Sequence, residues 1–335
     1  MIRRTLAASL GLGIALAIVV WPQAIGLSRA PFTAHVVALR GLAIVVAVVV
    51  AVVLILIAIR SRRARVLALV AAVLLTLFGA ANFAILASRG TAGLDGSPAS
   101  TGGVTVLAWN TLGDAPGATV IAQLAIAEGA DIVSLPETTA TVGRQIAAFM
   151  AATGIPMSTF TLAYDDDNPA HSTTLLISTA LGEYEVDETS RTTLVLPTVI
   201  ARPTNGTGPT IAAVHTLAPL PPMMLAWQQD LQFVSALCGR GSVIVAGDFN
   251  ATVDNFSGLG TTSGSTLGDC SDAALSGHAA ALGTWPTMLP PTLGSPIDHV
   301  LVTDDWVVTG VRVIETHDDF GSDHRPIVAH LAAVR

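Results

Sequence analysis

Polar residues that could do chemistry recur where short apolar segments of this chain end. They are asparagine, aspartate, glutamate and histidine residues, at Asn110, Glu137, His215, Asp248, Asn250, Asp298, His299, Asp323 and His324. A single aspartate after a strand is usually a turn residue, and a single histidine is usually structural. Because the strand ends of an α/β sheet open into a shared crevice, so many polar groups in this position predict a common site.

The types of these residues favour a metal-assisted hydrolysis. Carboxylate oxygens such as those of Glu137 and Asp323 are hard donors that suit Mg²⁺, Mn²⁺ or Ca²⁺. The sequence has no HExxH motif and no cysteine cluster, and it lacks the Walker, GxGxxG and GxSxG motifs. These absences argue against a zinc site, an NTPase, a Rossmann dehydrogenase and an α/β-hydrolase. Hydrolysis of a phosphoester fits best, because its transition state spreads negative charge over phosphate oxygens and needs an activated water.

Alternating strands and helices must position these residues within residues 104–335, which suffice for one large domain. The apolar patterns predict strands at 104–109, 131–135, 173–178, 193–196, 210–215, 243–246, 299–302 and 327–331, and helices at 118–128, 143–152 and 225–237. Some predicted strands follow one another directly, and others are separated by helices. This mixture predicts an α/β domain with mixed sheets and outer helices, not a purely parallel sheet.

Several short motifs follow one another in order along this domain. They are LAWN at 107–110, LPE at 135–137, a histidine at 215, GDFN at 247–250, TWP at 284–286, PIDHV at 296–300 and SDHRP at 322–326. In these motifs the domain resembles the endonuclease/exonuclease/phosphatase family, which includes deoxyribonucleases, sphingomyelinases and inositol-polyphosphate phosphatases. The resemblance implies two mixed β-sheets packed face to face, with helices on both outer sides, in a four-layer sandwich.

The resemblance also implies which residues would hold a metal ion. Glu137 would be the main ligand, helped by Asn110 and Asp323. The expected cofactor is Mg²⁺, with Mn²⁺ or Ca²⁺ as alternatives. Many family members have glutamine before the glutamate, where this chain has Pro136. Because that position lies beside the ligand, we expect little effect.

The catalytic roles implied by the resemblance fall on five further residues. His324, oriented by Asp298, would accept the proton of the attacking water. Asp248 and Asn250 would position that water and the phosphate oxygens. His215 would contact the phosphate or protonate the leaving oxygen, as in the deoxyribonuclease-like and sphingomyelinase-like branches of the family.

The charge of the domain bears on which phosphoester it would take. From residue 101 onward the chain has seven arginines and 23 acidic residues. Nucleic-acid binding relies on basic side chains, and only Arg325 and Arg144 are expected near a substrate, with surface ion pairing as the alternative for both. We therefore expect a small-molecule or lipid-borne phosphoester. An extracytoplasmic nuclease for DNA or RNA is one alternative, and a non-catalytic binding module on the same fold is another.

The N-terminal part of the chain has a different composition. The whole chain is 51% hydrophobic and only 12% charged, which excludes a disordered chain, a coiled coil and a simple cytosolic enzyme. Residues 1–89 contain nine arginines and no acidic residue. Three uncharged stretches there predict an all-α region with membrane spans at about 5–21, 41–59 and 66–88. For the first stretch, a cleaved signal peptide is the alternative.

The positions of the arginines predict how these spans are oriented. Arg3 and Arg4 precede the first span, and four arginines lie in the loop 60–65 between the second and third. Because arginine is enriched in cytoplasmic loops, both places should be cytoplasmic. A Gly/Ser/Thr-rich segment, 89–103, predicts a flexible linker to a catalytic domain outside the cytoplasm. The protein would then be a multi-pass protein of the cell membrane, with the bilayer as its partner and no protein partner inferred.

Two features of the domain stay open at this point. Cys238 and Cys270 lie in the part expected outside the cytoplasm, where they could form a disulfide or remain two small buried thiols. The acidic run 165–167 is expected to be a solvated loop, with a second cation site as the alternative.

Overall fold

The computed structural model describes residues 2–94, 96, 102–165, 167–187 and 192–334. Among these, four helices come first: α1 (Ile2–Val20), α2 (Pro31–Ala38), α3 (Arg40–Arg60) and α4 (Arg65–Arg89). By length and composition, α3 and α4 could each cross a membrane. The apolar part of α1, Thr5–Val20, is shorter, so the first predicted span, at about 5–21, stays a prediction.

The rest of the described chain forms two six-stranded sheets. The strands are β1 (Gly103–Ala108), β2 (Ile132–Pro136), β3 (Met157–Ala163), β4 (Ser172–Ser178), β5 (Tyr184–Val186), β6 (Val199–Pro203), β7 (Thr210–His215), β8 (Val243–Asp248), β9 (Ser271–Asp272), β10 (Asp298–Val302), β11 (Trp306–Val313) and β12 (Ile327–Ala333). Their orders are β11-β12-β1-β2-β4-β3 and β5-β6-β7-β8-β10-β9. Parallel pairs, β1 with β2 and β7 with β8, lie among antiparallel ones. Both sheets are therefore mixed, as predicted.

Alternation along the strands builds the four layers. In β1, Val106 points into the core between the two sheets, whereas Leu107 points outward. Helices α5 (Gly117–Ala127) and α6 (Ala140–Ala152) cover that outer face and contribute Ile121 and Ile146. Helix α7 (Met224–Leu237) covers the outer face of the second sheet, where Trp227 is fully buried. The predicted four-layer α/β sandwich is confirmed.

One predicted strand, Thr193–Leu196, is wrong. These residues form an irregular turn in which the Thr193 hydroxyl donates to the Leu196 carbonyl, and the strand β6 begins only at Val199. The Leu194 backbone N–H donates to a carboxylate oxygen of Asp230 on α7 instead of to a neighbouring strand. Hydrogen bonds that involve side chains therefore replace the ladder that the apolar pattern suggested.

The two cysteines form a disulfide, which the sequence left open. Cys238 follows the last residue of α7, and Cys270 precedes β9. Both residues are buried against the second sheet. Because β9 is the edge strand of this sheet, the disulfide ties α7 to the edge of the sheet. The short helix α8 (Ala273–Ser276) follows β9 directly.

Asp254, in the loop after β8, joins the N-terminal helices to the α/β sandwich domain. Its carboxylate accepts hydrogen bonds from Arg40 at 2.8 and 3.0 Å and from Arg89 at 2.7 and 2.8 Å. Arg40 is the first residue of α3 and Arg89 is the last of α4, so one carboxylate holds neighbouring ends of both helices. Arg40 also donates to the side chain of Asn82 in α4.

The described part of the predicted linker, 89–103, contacts the domain, and its flexibility stays a prediction. Arg89 is paired with Asp254, and Leu94 forms a β-bridge with Val311 of β11. The Gly90 carbonyl accepts the backbone N–H of Ala281. These backbone and ion-pair contacts were not visible in the Gly/Ser/Thr composition. Residues 95 and 97–101 of the linker lie outside the described residues.

Helix α2 and the residues before it also lie against the catalytic domain. Ala34 is buried in the same apolar cluster as α7. Arg29 donates to the backbone carbonyls of Asn255 and Ser257 at 2.6 and 2.8 Å. The Asn255 side chain donates to the Ser28 carbonyl in return. The segment between α1 and α3 is therefore part of the wall of the domain.

The contacts of Asp254 with Arg40 and Arg89 form what we call the Asp254 joint between the helices and the domain. Replacement of Asp254 tests this joint. Burial would raise the pKa of Asp254, but hydrogen bonds and charges from Arg40 and Arg89 outweigh burial and hold the pKa below its ordinary value. Asp254→Asn leaves two partly desolvated guanidinium groups unpaired, so we expect the free energy of unfolding at pH 7 to fall by about 3–5 kcal/mol. Thermal unfolding of the full chain in detergent measures this loss.

The same variant has a signature in its pH dependence. Because the pKa of Asp254 is lowered on folding, its stabilisation is complete above the ordinary aspartate pKa and disappears as the pH falls through the lowered value. The gap between wild type and Asp254→Asn should therefore close in acid. The exposed Asp304, replaced by asparagine, serves as the control and should change stability by less than about 0.5 kcal/mol. Equal stability of wild type and Asp254→Asn at pH 7 would contradict the joint.

Candidate active site

Strand register places three polar residues in one row at the edge of the second sheet. His215, the last residue of β7, pairs with Asp248, the last residue of β8. Asp248 in turn pairs with Asp298, the first residue of β10. Because directly paired residues point to the same side of a sheet, these side chains are neighbours. All three are buried.

A glycine is required beside this row. Gly247 has a φ of 141°, a conformation that residues with a Cβ rarely adopt. A Cβ there would lie 2.1 Å from the carbonyl oxygen of Val214 in β7. The first residue of the GDFN motif therefore lets β8 approach β7 closely enough to bring Asp248 beside His215.

The first sheet contributes two residues from the ends of its parallel strands. Asn110 follows β1 and Glu137 follows β2, so both lie at the same edge. The Asn110 amide nitrogen donates to Glu137 Oε1 at 3.1 Å and to Asp248 Oδ2 at 3.0 Å. Its side-chain oxygen accepts the backbone N–H of Leu112. In this arrangement Asn110 holds two carboxylates together through its N–H groups, and its role as a metal ligand stays a prediction.

Two residues at this edge have strained backbones. Glu137 has a φ of 59° and Asn250 has a φ of 45°, both in the left-handed region. Such conformations cost roughly 1–3 kcal/mol each and cluster at functional sites. The backbone N–H and side chain of Asn250 both donate to Asp248, and its side chain also donates to the Thr216 carbonyl, which holds this turn in place.

His324 reaches the row from the segment that leads into β12. Its Nδ1 lies 2.8 Å from Asp298 Oδ2, and its Nε2 lies 3.8 Å from Asp248 Oδ2 and 3.9 Å from Asp323 Oδ1. The backbone is held on both sides, because Trp109 donates to the His324 carbonyl and the Ser322 hydroxyl accepts the His324 N–H. Nδ1 is thus fixed by Asp298, and Nε2 faces the carboxylates.

Burial and charge shift the protonation equilibria of these groups in different directions. Burial opposes the charged form of His324, but the carboxylates of Asp298 and Asp248 outweigh it and raise its pKa to about 10. Burial and the charges of His324 and His171 lower the pKa of His215 to about 3. Burial raises the pKa of Asp248 to about 7. Without a cation, one histidine is charged and the other is neutral.

The residues at this edge fit a divalent cation. Ligand atoms of Asp248, Asp298 and His324 all lie within 4.8 Å of one another, and all three residues are buried. In the described part of the chain, the buried Oδ1 atoms of Asp298 and Asp323 have no hydrogen-bond partner. Burial also raises the pKa of Glu137, which lies beside this group with Oε1 3.8 Å from His215 Nε2. Crowded carboxylates with unused oxygens suit a hard cation.

The structure thus brings together eight of the ten predicted site residues. They are Asn110, Glu137, His215, Asp248, Asn250, Asp298, Asp323 and His324. The tight group of Asp248, Asp298 and His324 consists of residues predicted to be catalytic, and the predicted ligands Glu137 and Asp323 lie beside it. The division of these residues between metal binding and catalysis stays a prediction.

The two predicted substrate-binding arginines are not part of this cluster in the described structure. Arg325 is buried, and its guanidinium donates to Asp318 and to backbone carbonyls of residues 283–289. Its donors therefore hold a loop in this structure, and the predicted contact with a substrate stays a prediction. Arg144 lies on the exposed face of α6 and donates to Thr141 of the same helix.

Other residues of the site were missed or set aside at the sequence level. Trp285 donates its indole N–H to Asp323 Oδ2 at 2.8 Å, and Ser322 donates to the Asn110 carbonyl. Both lie within the TWP and SDHRP motifs, which were the available signal. His299 is structural, because it is paired with Asp272 and packs against aromatic rings.

Comparisons with known proteins agree with this geometry. Residues 107–324 match the endonuclease/exonuclease/phosphatase family. No curated protein matches the chain. A solved structure of D. rerio TDP2 humanized by 14 mutations is 16% identical, with a TM-score of 0.52 over 70% of this chain and 100% of that chain.

Two further solved structures have the same fold. D. rerio TDP2 complexed with a single-strand DNA product is 16% identical, with a TM-score of 0.51 over 69% of this chain and 99% of that chain. An endonuclease/exonuclease/phosphatase from Bacteroides vulgatus is 15% identical, with a TM-score of 0.50 over the same shares of both chains. At these identities the likeness concerns the fold alone.

The coupling of His324 to its neighbour can be measured directly. The charge and hydrogen bond of Asp298 raise the pKa of His324, so Asp298→Asn should lower it by at least about one unit in metal-free protein. Histidine side-chain NMR of the full chain in detergent, titrated with pH, follows this group. Asp304→Asn, in an exposed loop, is the matched control and should leave the titration unchanged. An unaltered His324 titration in Asp298→Asn would show that the pair does not form.

Proposed function

The chain belongs to the endonuclease/exonuclease/phosphatase family and is a metal-dependent phosphoester hydrolase, and we propose that it works while anchored in a membrane. The observation that carries the catalytic part is the meeting of Glu137, Asp248, Asp298 and His324 at one edge of two sheets. The observation that carries the membrane part is the pair of long apolar helices α3 and α4.

The acidic residues of the cluster would hold the cation. Glu137 and Asp323 offer carboxylate oxygens, and Asn110 keeps Glu137 and Asp248 at a fixed separation. When bound, a divalent ion supplies positive charge that offsets the phosphate and eases the deprotonation of water. We take Mg²⁺ as the cofactor, with Mn²⁺ or Ca²⁺ as alternatives, because Glu137 and Asp323 offer hard carboxylate oxygens.

His324 would act as the general base at its Nε2 atom. Asp298 accepts the hydrogen bond of Nδ1, which orients the ring and stabilises the imidazolium once Nε2 has taken a proton. The raised pKa of His324 makes it a strong proton acceptor. The positive charge of a bound cation would favour the neutral form of the His324 ring before the reaction, because a nearby like charge opposes protonation.

His215 and Asn250 would act on the phosphate. The low pKa of His215 keeps its imidazole neutral, which favours donation of an N–H to a phosphate oxygen over protonation of the leaving group. Asn250 is fixed by Asp248 and by the Thr216 carbonyl, which use both N–H groups of its side-chain amide, so one of these hydrogen bonds would have to be exchanged for a phosphate oxygen. Asp248 would position the attacking water.

We place the helices in the cell membrane as a multi-pass anchor with the catalytic domain outside. Large apolar side chains on α3 and α4, such as Val49 and Leu77, are exposed in the isolated chain and would be covered by lipid. The arginines at 60–65 mark the opposite end from Arg40 and Arg89, which hold the domain. By the positive-inside rule, the 60–65 end would be cytoplasmic.

The favoured substrate is a small-molecule or lipid-borne phosphoester. The domain is strongly acidic, and the two arginines expected near a substrate are engaged elsewhere or exposed on α6. Basic side chains are what nucleic-acid binding requires. An extracytoplasmic nuclease remains the second candidate, and the assay below includes DNA for that reason.

Two substitutions test the catalytic assignment. Glu137→Gln and His324→Ala should each lower kcat/KM for bis-p-nitrophenyl phosphate with Mg²⁺ by about 10²–10⁴, because each removes a group that acts on the reacting atoms. Glu185→Gln, on the exposed face of β5, is the matched control and should keep wild-type activity. Full metal-dependent hydrolysis by His324→Ala would refute the mechanism. Rapid cutting of plasmid DNA that falls with rising salt would favour the nuclease.

A fusion reporter tests the orientation. Alkaline phosphatase attached after residue 100 should be active, because the enzyme matures only outside the cytoplasm. The same reporter attached after Ser61, in the loop between α3 and α4, should be inactive. The reverse pattern of the two fusions would invert the proposed topology.

A further inference from the structure

A cavity of about 340 Å³ lies between α2 and the candidate active site. On one side it is lined by the catalytic residues Asn250 and His324 and by the ring of Trp285. On the other side it is lined by Ala38 and Leu39, at the end of α2. We call this space the catalytic cavity. Part of the wall of the active site is therefore supplied by the N-terminal region and not by the catalytic domain.

A second cavity, of about 540 Å³, lies among the N-terminal helices. Leu16 of α1, Val46 and Val50 of α3 and Phe78 of α4 line it. We call it the helix groove. Part of its lining belongs to α3 and α4, the helices that could cross a membrane, so that part of the groove would lie at the depth of the acyl chains.

The two cavities adjoin across α2. His35 and Leu39 line both of them, so the catalytic cavity and the helix groove share a wall only one helix wide. His35 is exposed. An apolar chain that runs along the groove therefore comes to the mouth of the catalytic cavity at these two residues.

The lining of both cavities selects the chemistry of an occupant. Among the described residues that line them, none is an aspartate, a glutamate or an arginine. A polyanion would find no arginine or lysine side chain there to neutralise its phosphates. A single phosphoester attached to a long apolar chain suits a polar end at His324 and Asn250 followed by apolar walls.

We propose that the helix groove and the catalytic cavity form one substrate site for a membrane lipid phosphoester. The phosphoester lies beside His324, and its apolar chain passes His35 and Leu39 into the groove between α1 and α3. This inference rests on the proposed phosphoesterase function and adds to it the substrate class and the residues that select it. The groove is held beside the active site by two sets of contacts. Asp254 binds the ends of α3 and α4, and Arg29, in the segment before α2, donates to the backbone of the domain.

Two phosphodiesters that differ only in their apolar part test the inference. Hexadecyl p-nitrophenyl phosphate and ethyl p-nitrophenyl phosphate have the same reacting bond and leaving group. With full-length protein in detergent and Mg²⁺, we expect kcat/KM for the hexadecyl ester to exceed that for the ethyl ester at least about tenfold, because the groove buries the chain.

Val46→Trp fills the groove, and Val49→Trp is its matched control. Both valines are on α3 and are similarly exposed, at 54% and 57%, but only Val46 lines the groove. Val46→Trp should reduce hydrolysis of the hexadecyl ester at least about tenfold and leave the ethyl ester within about twofold. Val49→Trp should leave both rates unchanged. Leu39→Trp, at the shared wall, should act like Val46→Trp on the hexadecyl ester.

The outcomes separate this inference from the function on which it rests. Equal kcat/KM for the two esters in wild type would overturn the lipid site while leaving the phosphoesterase intact. An unchanged preference in both Val46→Trp and Leu39→Trp would also overturn it. Failure of wild type to hydrolyse either ester with Mg²⁺ or Mn²⁺ would instead refute the proposed function, and the lipid site with it.

Discussion

Buried carboxylates repel one another, and this protein places several of them at one edge of its two sheets. Asp248 and Asp298 face each other across neighbouring strands, and Glu137 reaches the same edge from the other sheet. Asn110 and His324 offset part of this repulsion, yet burial still raises the pKa of Asp248 to about 7. A divalent cation relieves the remaining repulsion, so the need for metal follows from the way the strands are paired.

Asp254 is also a buried carboxylate, but its pKa is lowered instead of raised. This carboxylate is as deeply buried as Asp248, but two arginines bind it and hold its pKa below the ordinary value. A buried carboxylate with guanidinium partners becomes a structural joint, whereas a group of crowded carboxylates without them suits a cation. In the lipid site that we propose, the joint holds α3 and α4 near the pocket that contains His324.

Local patterns predicted much of this molecule. Strand ends carrying LAWN, LPE, GDFN and SDHRP located the cluster, since parallel and paired strands bring such ends together. The Asp254 joint could not be predicted, because Arg40 and Arg89 are 214 and 165 residues away and resemble ordinary membrane-flanking charges. The contacts of Arg325 could not be predicted for a related reason, because its position beside His324 does not reveal that loop carbonyls use its donors. Contacts between distant segments, including those of residues 89–94, decide these cases.

Anomalous diffraction from crystals of the full chain soaked in Mn²⁺ tests the central claim most directly. We expect a strong manganese peak in contact with Glu137 or with the group of Asp248, Asp298 and His324. We also expect this peak to be lost in Glu137→Gln crystals or to be weaker there. A peak confined to another place, such as the acidic segment at 165–167, with none among these residues, would contradict it.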